Sequence, residues 1–254
     1  MSTSRGTKRE VSRRDLLTAG LAAGTSLALP TAPAAADTIA QQVPWAPGEA
    51  NKPSPVAGSD YRFLSADEAA WLDAAVSRLI PQDDMGPGAR ELGVTLFIDR
   101  QLAGAYGRAE RWYMAGPWSK GTDSQGYQSR MTPAQMYRAA IKAIDVYCRG
   151  KFGGKPFVEL STEQQDTVLG ELEEGKAKLQ NVDAKAFFKQ FLLNTQEGYF
   201  ADPMYGGNKD MAAWKMIGFP GARYDYRDFV GQHGKRYPLP PVAIYGRPDW
   251  SSKA

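Results

Sequence analysis

Ser65-Ala66-Asp67-Glu68-Ala69-Ala70-Trp71-Leu72-Asp73-Ala74-Ala75-Val76-Ser77-Arg78-Leu79-Ile80-Pro81 is the stretch that decides the fold class. Its first four residues form a capping box, a serine hydroxyl that accepts from a first-turn amide and a glutamate three places on that reaches back. Ala69, Trp71, Leu72, Ala75, Val76, Leu79 and Ile80 then recur at the spacing of one helix face. Pro81 ends the helix, since proline lacks the amide hydrogen and crowds the preceding turn. The same signals recur along the chain. Pro87 suits the first position of a second helix that carries Leu92, Val94, Leu96, Phe97, Ile98 and Leu102 and ends near Gly104. Thr132-Pro133 opens a third, with Met136, Tyr137, Ala140, Ile141, Ile144 and Tyr147 on its buried side, closing at Gly150. Ser161-Thr162-Glu163-Gln164 is another capping box, ahead of Val168, Leu169 and Leu172. Asp183 caps a fifth helix with Phe187, Phe188, Phe191 and Leu192 on one face, and Asn208 a sixth through Met211, Trp214 and Ile217, stopped by Gly218 and Pro220. Alternating strand patterns are scarce and no repeat is present. The expectation is an all-α protein: a single irregular helical domain with long loops and an extended, aromatic-rich C-terminal tail.

Around this domain the chain divides into a signal peptide (1–36), an extended linker or arm (37–60), the helical domain (61–221) and the irregular tail (222–254). Ser12-Arg13-Arg14-Asp15-Leu16-Leu17 precedes a mildly apolar run to Leu29 and the small-residue site Ala34-Ala35-Ala36. Paired Arg13 and Arg14, an uncharged core and an A-x-A site are the parts of a twin-arginine export signal. That route carries proteins across the membrane already folded, so the expected destination is the periplasm. Of the chain's 31 basic and 28 acidic residues, the signal holds five and two, so the 218 residues that follow carry 26 of each and no net charge. A nucleic-acid or anionic-membrane partner therefore has no electrostatic support.

One cysteine, Cys148, and one histidine, His233, exclude most site chemistry. A structural zinc needs about four Cys or His ligands, an iron–sulfur cluster about four thiolates and a c-type haem a C-x-x-C-H run. No glycine-rich nucleotide fingerprint occurs, and His233 sits in Gly231-Gln232-His233-Gly234-Lys235, a loop ill suited to holding a catalytic imidazole. Asp83 and Asp84, like Glu171, Glu173 and Glu174, read as surface carboxylates rather than an acid–base pair or metal set. Cys148, next to Gly150 at the end of the third helix, is either a buried thiol or, with partial access, a disulfide partner for another chain.

Two segments stand out. Residues 105–130 set Trp112, Tyr113, Trp118 and Tyr127 among Gly116, Pro117, Gly121 and Gly126, and a loop of that length inside a compact domain generally has a role. Tyr199-Phe200-Ala201-Asp202-Pro203-Met204-Tyr205-Gly206-Gly207-Asn208 has two glycines suited to positive φ, and reads either as a tight turn that positions Trp214 or as a set of gathered amides able to bind an anion. The tail adds Tyr224, Tyr226, Phe229, Tyr237, Tyr245 and Trp250, which must be covered by this domain or by another protein.

Leu79-Ile80-Pro81-Gln82-Asp83, Pro87-Gly88-Ala89-Arg90-Glu91-Leu92-Gly93-Val94 with Phe97-Ile98-Asp99, and Asp202-Pro203-Met204-Tyr205-Gly206-Gly207-Asn208 with Trp214-Lys215-Met216-Ile217-Gly218-Phe219-Pro220-Gly221 together carry a family resemblance. The chain resembles the gluconate 2-dehydrogenase subunit 3 family over about residues 60–225, departing from it at Ala213, where glycine is expected. The resemblance implies the small subunit of a periplasmic, membrane-associated flavin dehydrogenase acting on sugars or sugar acids. It implies a large subunit similar to the glucose–methanol–choline oxidoreductases that carries FAD and lacks an export signal, and commonly a multihaem cytochrome c as third subunit. This chain would itself hold no cofactor, perform no catalysis, and escort and stabilise the large subunit. Trp112, Trp118, Tyr205, Trp214, Tyr224, Tyr226 and Tyr237 are then the expected interface anchors, with Cys148, if accessible, as a link formed after export. The competing expectation is a free-standing periplasmic module whose aromatic loop stacks on a sugar.

Overall fold

The computed structural model describes residues 60–119, 121–122, 124–223 and 226–244. Arg13, Arg14, the signal and almost all of the linker lie outside the described residues, as does Tyr224. Among the described residues six α-helices form: α1 Ala66–Leu79, α2 Val94–Ala103, α3 Pro133–Lys151, α4 Thr162–Glu173, α5 Ala184–Phe200 and α6 Ala212–Ile217. Among the described residues there is no strand, only two isolated bridges. The protein is all-α.

The expected caps are in place. Ser65, Thr132 and Ser161 each close a capping box, and Asp183 accepts from the Ala186 amide at 2.9 Å. Each such cap stabilises its helix by about 1 kcal/mol. α5 is the central helix, packed on α2, α4, α3 and α1. Its Phe187 and Phe191 rings stack at 5.8 Å and meet Trp71 of α1 and Tyr137 of α3 edge-on or tilted, while Trp71 also lies 5.0 Å from Phe157. All five are fully buried, which places the bulk of the apolar driving force at one point of the bundle.

α2 corrects the sequence reading. It begins at Val94, seven residues beyond Pro87, because Gly93 stands at the left-handed φ of 76° and breaks the right-handed path. Residues 88–93 instead coil in short turns, Ala89 donating to the Ile80 carbonyl and Val94 to that of Ala89. The second correction concerns α6. It spans only Ala212–Ile217, Asn208 is not its cap residue, and Ile217 points to solvent rather than to the core.

Candidate functional site

The three runs quoted for the resemblance are distant in sequence and converge in space. The Lys209 amide donates to the Leu92 carbonyl at 3.2 Å, and a side chain at Gly93 would meet the Gly206 carbonyl at 2.9 Å. Tyr199 donates its hydroxyl to the Pro87 carbonyl at 2.9 Å, and its oxygen lies 4.0 Å from the Met216 sulfur. Gly207 rests on the α5 backbone at Gly198.

The bend from Asp202 to Ala212 is held by two short polar side chains. Asp202 accepts from the Met204 amide through Oδ1 and from the Ile244 amide through Oδ2, tying the tail to the bend. Asn208, fully buried, donates from Nδ2 to the Ala201 carbonyl at 2.9 Å and accepts at Oδ1 from the Ala213 amide at 3.0 Å. It thus serves a helix that starts three residues later than one capped conventionally at this position would. Asn208, Asp210 and Met211 all have positive φ, at 46°, 57° and 56°. Each left-handed residue of this kind costs on the order of 1–3 kcal/mol and persists only where its surroundings over-determine it. Here the constraint comes from Asn208, from the glycine contacts and from Trp214, which is buried and donates Nε1 to the Phe200 carbonyl at 2.8 Å.

A family model described as gluconate 2-dehydrogenase subunit 3 matches residues 66–221, more than half of the chain. The chain belongs to this family. The matched span covers α1 to α6, with the whole Asp202–Gly221 segment inside it. No curated protein and no solved structure matches the chain. As a member of the gluconate 2-dehydrogenase subunit 3 family it is, by that description, a subunit of a dehydrogenase assembly.

The expected anchors of this subunit fall into three groups. Trp214 is internal, packed 5.1 Å from Phe219 and forming a small cluster with Met211 and Ala243. Trp112 is half exposed but its ring is engaged within its own loop, 5.6 Å from Tyr106 and 4.8 Å from Tyr127. Tyr106 ties that loop to α5: its hydroxyl donates to Asn194 Oδ1 at 2.9 Å and receives Gln190 Nε2 at 2.9 Å. Burial raises the Tyr106 and Tyr127 phenols above their ordinary range, so both stay protonated donors. Trp118 is half-buried and Tyr205 is exposed. Tyr226 and Tyr237 meet at 5.9 Å, Phe229 lies 4.6 Å from Tyr237, and the Tyr226 hydroxyl donates to the Gly221 carbonyl. The described tail therefore covers part of its aromatic surface itself, and it returns to the domain where Ala222 and Val242 pair beside Gly221.

Of the two expected places for Cys148, the structure shows the buried thiol and not the partial access that a disulfide to another chain requires. It shares the core face of α3 with Ile141 and Ile144 and is fully buried. Burial pushes its thiol up to about 12, leaving it protonated and unreactive in the folded domain.

Asp83 and Glu171 make local structural contacts. Asp83 accepts from the Met85 and Gly86 amides in a turn, and Glu171 pairs with Lys151 and receives the Tyr147 hydroxyl at 2.7 Å. His233 is exposed. Among the described residues, no group of three or more His, Cys, Asp or Glu could hold a metal ion, and no helix is long and apolar enough to cross a membrane. An open groove of about 580 Å³ separates α6 from the tail, lined by Trp214, Phe219, Tyr237 and Pro240 with Lys215 and Arg236.

Proposed function

We propose that this chain is the non-catalytic small subunit of a periplasmic flavin-dependent sugar or sugar-acid dehydrogenase, and that it serves as export escort and stabiliser of the FAD-carrying large subunit. Membership of a family named for a dehydrogenase subunit carries the reading. Composition supports it: with one cysteine, one histidine and no dinucleotide fingerprint, the chain offers no set of groups suited to hydride transfer. In this reading the flavin belongs to the partner. An arginine pair at positions 13 and 14 on a chain without such a cofactor site makes physical sense if the folded cargo of the export route is the partner. The resemblance adds that such complexes commonly pass their electrons to a multihaem cytochrome c as third subunit.

The test is affinity purification of the tagged full-length chain from the periplasmic fraction of its native host. An equimolar yellow complex with sugar or sugar-acid dehydrogenase activity is expected. Recovery of the chain alone, colourless and monodisperse, overturns the reading.

A further inference from the structure

We propose that the described tail, residues 222–223 and 226–244, is a strap latched by Asp202 to the bend before α6, and that strap and bend open and close as one unit. The span matched by the family ends at Gly221, the residue on which the strap closes, so the strap itself lies outside that span.

The strap is pinned at both ends. Ala222 donates its amide to the Val242 carbonyl at 2.7 Å, and Val242 donates to the Pro220 carbonyl at 3.2 Å. Backbone meets backbone there: Gly221, at φ 77°, would place a Cβ 2.2 Å from the Val242 carbonyl oxygen. Two residues on, Ile244 donates its amide to Asp202 Oδ2 at 2.8 Å. Between these ends the tail packs on itself, since Arg223 donates to the Pro240 carbonyl and its guanidinium lies 5.3 Å from the centre of the Tyr237 ring.

Two links join the strap to the bend. Asp202, buried, divides its carboxylate: Oδ1 accepts from the Met204 amide at 3.0 Å while Oδ2 holds the strap. Both oxygens of an ionised carboxylate accept, whereas the amide of asparagine offers one acceptor only. Ala243 supplies the second link, buried with Met211 and Trp214 in a cluster distinct from the main core. Met211 stands at φ 56°, a conformation that persists only where its surroundings hold it. Lifting the strap removes one of the three members of that cluster and the Asp202 link together, so the bend loses cover and latch in one step. Residues 236–241 also form the wall of the groove that faces Trp214 and Phe219, and the same motion opens it.

Native-state hydrogen exchange of the unmodified full-length chain, followed amide by amide through low urea, tests the coupling without a variant. Val242 and Ile244 of the strap and Lys209 and Ala213 of the bend are expected to share one opening step, at lower urea than the amides of α1 and α3. Asp202→Asn keeps an acceptor for Met204 but sets an amide nitrogen against the Ile244 amide. It should speed exchange at all four positions tenfold or more and leave α1 and α3 unchanged. Val230→Asp, at an exposed position in the middle of the strap, should alter none of them. Fast exchange at Val242 and Ile244 with Lys209 and Ala213 still protected overturns the coupling. Unprotected Val242 and Ile244 in the unmodified chain overturn the latch, and opening of all four only together with α1 and α3 overturns the separate unit. If Asp202→Asn unfolds throughout, the exchange of the unmodified chain decides between these outcomes.

Discussion

Gly207 lies against Gly198 so closely that a Cβ at position 207 would sit 2.0 Å from the Gly198 carbonyl oxygen. Backbone meets backbone there, and no rotamer change can make room. Gly207→Ala should therefore destabilise the subunit by about 3 kcal/mol or more, at the upper end of overpacking costs. In a domain of this size that corresponds to a fall of roughly 6–12 °C in thermal midpoint. Differential scanning fluorimetry of the purified variant checks it, and a midpoint within a degree of the unmodified protein would show that the bend does not seat on α5.

Asn208 makes both of its hydrogen bonds in a fully buried site, at φ 46°. Removing its amide leaves the Ala201 carbonyl and the Ala213 amide without these partners, at roughly 1–3 kcal/mol each. Asn208→Ala should lose both bonds and also strain the left-handed backbone. Asn208→Gly loses the same bonds but tolerates the conformation, so it should be less damaging by about 1 kcal/mol. Urea titration of the two variants measures the difference. Equal stabilities would remove the role assigned to backbone conformation.

The buried Cys148 thiol should not react with a thiol reagent in the folded protein at neutral or mildly alkaline pH, and should react fully after denaturation. A thiol whose folded pKa is raised to about 12 binds its proton more tightly in the native state than in the unfolded chain, where it titrates near 8.5. Its contribution to stability is complete below the unfolded pKa. As pH rises from about 9 toward 12 that contribution is lost, with a slope of about 1.4 kcal/mol per pH unit. Cys148→Ala should flatten the alkaline limb of the stability profile, and an unchanged slope would contradict the burial.

Helix positions were legible because their signals are local. The capping boxes at Ser65, Thr132 and Ser161 need only four residues each, and the apolar face of α5 repeats within its own length. What escaped the sequence depends on residues far apart. Gly93 starts α2 late because its neighbour is Gly206, over a hundred positions away. Asp99 gave no signal as an acidic residue on an apolar helix face. In the fold it is fully buried and accepts from the backbone amides of Arg62, Phe63 and Leu64, fixing the entry to α1. The candidate site was half visible. The run from Asp202 to Gly221 is distinctive in sequence, but its tryptophan suggested a surface anchor where the structure makes it the buried side chain of α6. The exposed members Met216 and Ile217 are indistinguishable in sequence from core residues, because a six-residue helix is too short for its periodicity to show which face is buried.

The central claim is that this subunit carries a folded flavoprotein across the membrane. It is tested most directly by replacing Arg13 and Arg14 with lysine in the full-length chain and measuring protein-bound flavin and large-subunit antigen in periplasmic and cytoplasmic fractions. The large subunit is expected to vanish from the periplasm and accumulate, folded and flavin-loaded, in the cytoplasm. Undiminished periplasmic flavoprotein, with the small subunit itself retained in the cytoplasm, would contradict the escort role.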